Sequence, residues 1–114
     1  MRILLVEDER KVASFIARAL RENSYAVDVA ETGEKALELA TDVTYDAILL
    51  DVRLPGMSGV QVCRELRQLG TEAPVLMLTA LGLVEQRGSR HWHFRQSFGV
   101  YLRALLSSGA ARKR

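Results

Sequence analysis

Hydrophobic positions along this chain follow two rhythms. Ile3-Leu4-Leu5-Val6, Ala47-Ile48-Leu49-Leu50 and Val75-Leu76-Met77-Leu78 are apolar at every position, as suits strands of a parallel sheet covered on both faces. Tyr25, Val27 and Val29 alternate with small or polar residues, the pattern of a strand with one better-covered face at a sheet edge. Between these runs the period lengthens. Val12, Phe15, Ile16, Ala19 and Leu20 recur at helical spacing and predict a helix over about residues 9–22 with those side chains inward. Thr32 is placed to cap a second helix reaching about Thr41, with Ala36, Leu37 and Ala40 inward. Val62, Cys63, Leu66 and Leu69 mark a third, which Gly70 stops. The remaining strands are expected over about 46–50 and 75–79, the latter opened by Pro74.

The resulting order, βαβαβαβ, implies a right-handed parallel α/β sheet. Its 114 residues make one domain. Beyond Leu81 neither period persists: Gly88 to Gln96 is irregular, and Val100-Tyr101-Leu102 reads equally as a short strand or a helix start. Leu102, Leu105 and Leu106 fit a last helical turn or two before Ser107-Ser108-Gly109.

The three fully apolar runs end in Glu7-Asp8, Asp51 and Thr79. Side by side, they bring these residues to the carboxyl edge of the sheet, where open α/β sheets place their ligands. Three crowded carboxylates repel one another and favour a divalent cation with oxygen ligands, Mg²⁺. An aspartate can also take up a phosphoryl group as an acyl phosphate, a reaction that needs chiefly positioning and charge neutralisation. On this reading Glu7, Asp8 and Asp51 hold Mg²⁺, the backbone carbonyl of Arg53 is a further ligand, and Asp51 accepts the phosphoryl group. Thr79 offers its hydroxyl to a phosphoryl oxygen, with small Ala80 beside it. Singly, each residue has a plainer role: Asp8 as a helix N-cap, Asp51 as a turn cap before Pro55, Glu7 as an exposed acid, Thr79 as a strand-end hydroxyl. Their joint placement at three strand ends favours the shared site.

Charge divides the chain. Residues 1–81 hold 9 Lys/Arg against 13 Asp/Glu, a balance of −4, whereas residues 82–114 hold 7 against Glu85 alone, a balance of +6. A solvated basic tail or linker explains this better than a nucleic-acid arm. One cysteine, Cys63, excludes an internal disulfide and reads as a small buried hydrophobe. No apolar stretch is long enough to span a bilayer, and the N-terminus lacks a signal-peptide pattern, so a cytoplasmic protein without membrane contact is expected. There is no nucleotide-binding P-loop. His91 and His93 lack an evident third metal ligand.

Ile3-Leu4-Leu5-Val6-Glu7-Asp8-Glu9, Leu49-Leu50-Asp51-Val52-Arg53-Leu54-Pro55-Gly56-Met57-Ser58-Gly59 and Val75-Leu76-Met77-Leu78-Thr79-Ala80 resemble bacterial two-component response-regulator receiver domains, most of all those of OmpR-type transcription factors. The resemblance covers about residues 1–81 of the chain. It implies a flavodoxin-like (CheY-like) three-layer α/β fold with parallel sheet order 2-1-3-4-5. It implies phosphorylation of Asp51 by a sensor histidine kinase, Mg²⁺ at Glu7, Asp8 and Asp51, and a Thr79 hydroxyl that senses the phosphoryl group. The product is a phosphorelay switch associated with transcription regulation, not an enzyme. A receiver domain over 1–106, degenerate from residue 82, and a basic tail over 107–114 are expected.

The last third departs from the family pattern. Receivers carry a phosphate-pairing lysine, followed by proline, after the fifth strand. The only lysines here are Lys11, Lys35 and Lys113, none of them in that place. Gly99-Val100-Tyr101-Leu102 echoes the fifth strand, with Tyr101 the candidate switch aromatic. The stretch after Leu81 is too short for a complete fourth helix, fifth strand and fifth helix, the face such receivers use for homodimerisation. A reading-frame shift, a gene fragment or divergence would each give this ending; restoration of the Lys-Pro motif in another frame would identify the first. No DNA-binding domain follows residue 114, so direct DNA binding is not expected. Two rival readings remain. One is a receiver-like interaction module impaired in phosphorylation. The other is an aspartyl-phosphate phosphatase resembling haloacid dehalogenases, which Arg53 disfavours by standing where a second aspartate belongs.

Overall fold

A computed structural model of the chain describes residues 1–79 and the backbone of 82–84; for Thr79 it describes the backbone only. Five strands and three helices follow in the order β1 (Arg2–Val6), α1 (Arg10–Glu22), β2 (Ala26–Ala30), α2 (Gly33–Asp42), β3 (Ala47–Asp51), α3 (Gly59–Gln68), β4 (Val75–Thr79) and β5 (Gly82–Val84). They form one sheet of order β2-β1-β3-β4-β5. The first four strands are parallel, with Leu4 beside Asp28 and Ile48, and Asp51 beside Leu78.

The two rhythms of the sequence translate directly into layers. Ile3 to Val6 and Ala47 to Leu50 are wholly buried, as central strands covered on both faces must be. Alternate residues serve opposite faces. Ile3, Leu5 and Leu49 pack with Ile16, Ala17 and Leu20 of α1. Leu4, Val6, Ile48 and Leu50 pack with Ala36 of α2 and Val62 and Leu66 of α3. The three-layer α/β architecture expected from the sequence is therefore present.

Several details differ. The inward face of α1 is Ala13, Ile16, Ala17 and Leu20, while Val12 and Phe15 are exposed. Small alanines let the helix lie close on the sheet, so the buried stripe is rotated from the one that the larger side chains mark. Leu69 is likewise exposed, because α3 ends before it could turn inward. Cys63 is half-buried. Asp8 does not cap α1: Glu9 is the N-cap residue, without a side-chain cap bond. Thr32 does cap α2, its hydroxyl accepting from the Lys35 N–H at 3.1 Å.

The largest difference lies at the sheet edge. β5 runs antiparallel to β4, pairing Thr79 with Gly82 and Met77 with Val84. The family resemblance implies a parallel fifth strand after a helical crossover, both expected here to be incomplete. Instead the chain doubles back two residues after β4 and takes the β4 edge itself. A hairpin needs only a short loop, whereas a parallel partner needs a crossover of a dozen or more residues. The Gly99–Leu102 echo, Tyr101 and the 107–114 tail lie outside the described residues, as do His91 and His93.

Helix α1 closes on a left-handed residue that is not glycine. Ser24 has φ of 71°, its N–H donates to the Arg21 carbonyl, and the Tyr25 N–H donates to the Leu20 carbonyl. This is the Schellman arrangement, and α3 repeats it at Gly70, with φ of 91°. A side chain at such a φ is strained, and glycine relieves that at some cost in unfolded-chain entropy. Ser24→Gly is expected to stabilise the fold by about 0.5 kcal/mol, measurable as a higher urea midpoint at unchanged slope.

Candidate metal and phosphoryl-acceptor site

The carboxyl edge of the sheet collects the acids. β1 ends at Val6, so Glu7 and Asp8 emerge at its tip, and Asp51 is the last residue of the adjacent β3. Each offers a carboxylate oxygen, and these oxygens lie within 4.8 Å of one another. Glu7 is 6% exposed, Asp51 half-buried and Asp8 exposed, so the cluster runs from the core outward.

Glu7 is fixed from both sides. Its N–H donates to the Ala30 carbonyl at 3.0 Å, and its Oε2 accepts from the Glu9 N–H at 3.0 Å. Burial pushes its carboxyl up to about 7. The Glu9 N–H opposes that shift, and the nearby Asp51 and Asp8 charges, with a hydrogen bond to Asp51, add to it. A buried acid beside two others is poorly accommodated as an anion unless a cation joins it.

Asp51 is held by the loop that follows. Its Oδ1 accepts from the Arg53 N–H at 3.0 Å, which fixes the rotation of the carboxylate. The turn role available to Asp51 is thus real, and it coexists with membership of the cluster. The loop is anchored in turn by buried Leu54, by the Met57 N–H on the Pro55 carbonyl, and by Val52 donating to the Leu78 carbonyl. Its far end, Gly59, presses against the strand end: a Cβ there would lie 2.9 Å from the Asp51 carbonyl oxygen and 2.9 Å from the Val52 Cα. The reading of the sequence missed this glycine as a site residue. The available signal was a glycine at the first position of a helix already capped by Ser58.

Thr79 ends β4 one residue beyond Leu78, the partner of Asp51, so its backbone reaches the same edge. Of the lysines, Lys11 is exposed on α1 and Lys35 pairs with Glu38 at 3.6 Å on α2; Lys113 lies outside the described residues. Among the described residues no helix is long and apolar enough to cross a membrane.

The donor set is all oxygen and carries three carboxylates, which fits a hard divalent cation such as Mg²⁺ and not a thiophilic metal.

The profile of the response regulator receiver domain family matches residues 3–88. The transcriptional regulatory protein TcrA of Mycobacterium tuberculosis is 47% identical over 87 residues, which cover 76% of this chain and 34% of TcrA. The chain therefore spans about a third of the length of that relative. Among solved structures, the response regulator TrrA of Thermotoga maritima in complex with Mg²⁺ and BeF superposes with a TM-score of 0.76 at 28% identity, covering 91% of this chain and 97% of TrrA. TrrA in complex with the histidine kinase ThkA gives a TM-score of 0.75 at 30% identity, with 92% and 97% covered. The acidic cluster resembles the Mg²⁺ site of such receivers.

Proposed function

This chain belongs to the response regulator receiver domain family, and from that premise we propose that it is a phosphorelay switch whose Asp51 accepts a phosphoryl group from a sensor histidine kinase in the cytoplasm. As receivers are signalling modules, it is not a catalytic enzyme in its own right. The observation that carries the reading is the gathering of Glu7, Asp8 and Asp51 oxygens within 4.8 Å at the carboxyl edge of the sheet.

In this reading the carboxylates of Glu7, Asp8 and Asp51 and the backbone carbonyl of Arg53 hold Mg²⁺. The ion, when bound, neutralises charge on the carboxylates and on the incoming phosphoryl oxygens. The residues do the rest. The Arg53 N–H orients the Asp51 carboxylate. A carboxylate oxygen of Asp51 attacks phosphorus and forms the O–P bond, the P–N bond to the kinase histidine breaks, and the leaving imidazole nitrogen recovers a proton. The Thr79 hydroxyl, at the neighbouring strand end, accommodates a phosphoryl oxygen, and Tyr101 is the aromatic that answers it. The receiver spans 1–106, with 107–114 a basic tail. The output is altered protein–protein contact in transcription regulation, as expected of a relative of TcrA.

A small phosphodonor such as acetyl phosphate with Mg²⁺, followed by intact mass, tests this. The wild type should gain one phosphoryl group and Asp51→Asn none; a wild type that stays unmodified would remove the reading. One observation favours a second reading, an interaction module impaired in phosphorylation. The β4 edge, where a parallel fifth strand and its lysine would stand, is occupied by antiparallel β5. That module predicts metal binding without mass gain.

A further inference from the structure

We propose that the guanidinium of Arg53 is the cation that grips the phosphoryl group on Asp51. The proposal rests on the Asp51 reading and specifies what holds the modified state.

The argument begins with charge. Three carboxylates converge on the site; phosphorylation trades the single charge of the Asp51 carboxylate for close to two on the phosphoryl group, so the negative charge rises by about one. A divalent ion leaves that total well short of neutral, so a fixed protein cation beside the acceptor stabilises the phosphorylated form. Of the nine Arg and Lys residues among the described residues, four are engaged elsewhere. Arg2 pairs with Asp28 at 3.7 Å, Arg21 donates to the Val27 carbonyl, Arg67 donates to the Thr71 and Ala73 carbonyls, and Lys35 pairs with Glu38.

Arg53 differs. Among the described residues no carboxylate lies within 4.0 Å of its guanidinium, and the residue is exposed. Its backbone N–H already sits 3.0 Å from Asp51 Oδ1, so the side chain springs from the rim of the acceptor itself. The backbone beneath it is pinned, by buried Leu54 on one side and by the close approach of Gly59 to Asp51 and Val52. A long side chain on a fixed base loses little backbone freedom in closing over the carboxylate. The planar guanidinium fork matches two phosphoryl oxygens at once. Arg10 and Lys11 are also exposed at the start of α1, but the backbone of neither donates to the Asp51 carboxylate.

The test compares the wild type with Arg53→Gln, Arg53→Lys and Arg10→Gln, all as the full chain. Two equilibria are read by calorimetry: Mg²⁺ alone, and beryllofluoride in saturating Mg²⁺ as a phosphoryl-like anion. Phosphoryl gain from acetyl phosphate is read by mass. In Arg53→Gln the beryllofluoride affinity should fall about tenfold, and phosphoryl gain should slow in the same direction. Affinity for Mg²⁺ alone should rise about twofold, because a repelling cation has gone. Arg53→Lys should recover much of the anion affinity, and Arg10→Gln should stay near the wild type. Unchanged beryllofluoride affinity in Arg53→Gln overturns the proposal, as does an equal loss in Arg10→Gln, which indicates a diffuse field. Joint weakening of Mg²⁺ and beryllofluoride also overturns it, since that marks loop damage. A wild type that takes neither beryllofluoride nor phosphoryl brings down the Asp51 reading itself.

Discussion

Glu7→Gln is expected to stabilise the metal-free protein at pH 8 by roughly 2–3 kcal/mol while weakening Mg²⁺ binding more than tenfold. The reason is the position of Glu7, 6% exposed at the inner end of the acidic cluster, with a carboxyl pushed up to about 7 from an ordinary 4.5. Between those two values the folded protein keeps a proton that the unfolded chain has released. Stability of the metal-free wild type therefore falls as pH rises from about 4.5 to about 7, and levels off above that. Gln carries no charge to bury, so its variant should lack that decline, and urea melts at pH 5 and pH 8 without metal measure the difference. Mg²⁺ inverts the slope for the wild type. The ion binds the ionised cluster, so its affinity should climb with pH up to about 7, and binding below that pH should release a proton. Equal pH slopes for wild type and variant would show that Glu7 does not carry this charge.

Gly59→Val should cost about 3 kcal/mol or more of stability and displace Asp51 in any protein that still folds. A Cβ at this position meets main chain on the strand side, the Asp51 carbonyl oxygen and the Val52 Cα, each at 2.9 Å. Main chain cannot rotate away as a side-chain tip can. Either α3 lifts from the sheet, opening the contacts of buried Val62 and Leu66, or the end of β3 moves and carries the Asp51 carboxylate with it. Gly59→Ala applies the same contact with less bulk and should lose about half as much. Chemical unfolding gives the energy, and Mg²⁺ titration of the folded fraction gives the displacement. Wild-type stability in both variants would mean that the helix and strand yield at this contact.

The pairing of these two residues explains a division of labour within the site. Glu7 places a buried acid at the strand end, and Gly59 lets the loop after Asp51 lie close against the same edge. On the proposed reading, stability lost at the first position would be regained when a cation binds, a common exchange at functional sites.

Much of the layered fold is legible in the sequence because burial on both faces leaves a short, unbroken apolar run. Leu4, Leu5, Leu49 and Leu50 announce central strands in this way, and the acids that end those runs mark the functional edge. The spacing of Glu7, Asp8 and Asp51 was enough to expect a common cluster, since parallel neighbouring strands end on the same side. The inward stripe of α1 was less legible. Phe15 and Val12 are bulky and apolar, yet Ala13 and Ala17 face the core, because close helix–sheet packing selects for small size as much as for hydrophobicity.

What the chain by itself determined is the alternation of strands and helices, the parallel α/β class and the identity of the acids at its rim. These follow from local periodicity, in which each residue reports its own exposure, whereas the strand order was implied only by the family resemblance. Tertiary structure alone decided the depth of Glu7, the contact of Gly59 with the strand it faces across the loop, and the antiparallel course of β5. Those properties belong to pairs of segments distant along the chain, and a pattern of hydrophobic positions does not record which backbone a residue will meet.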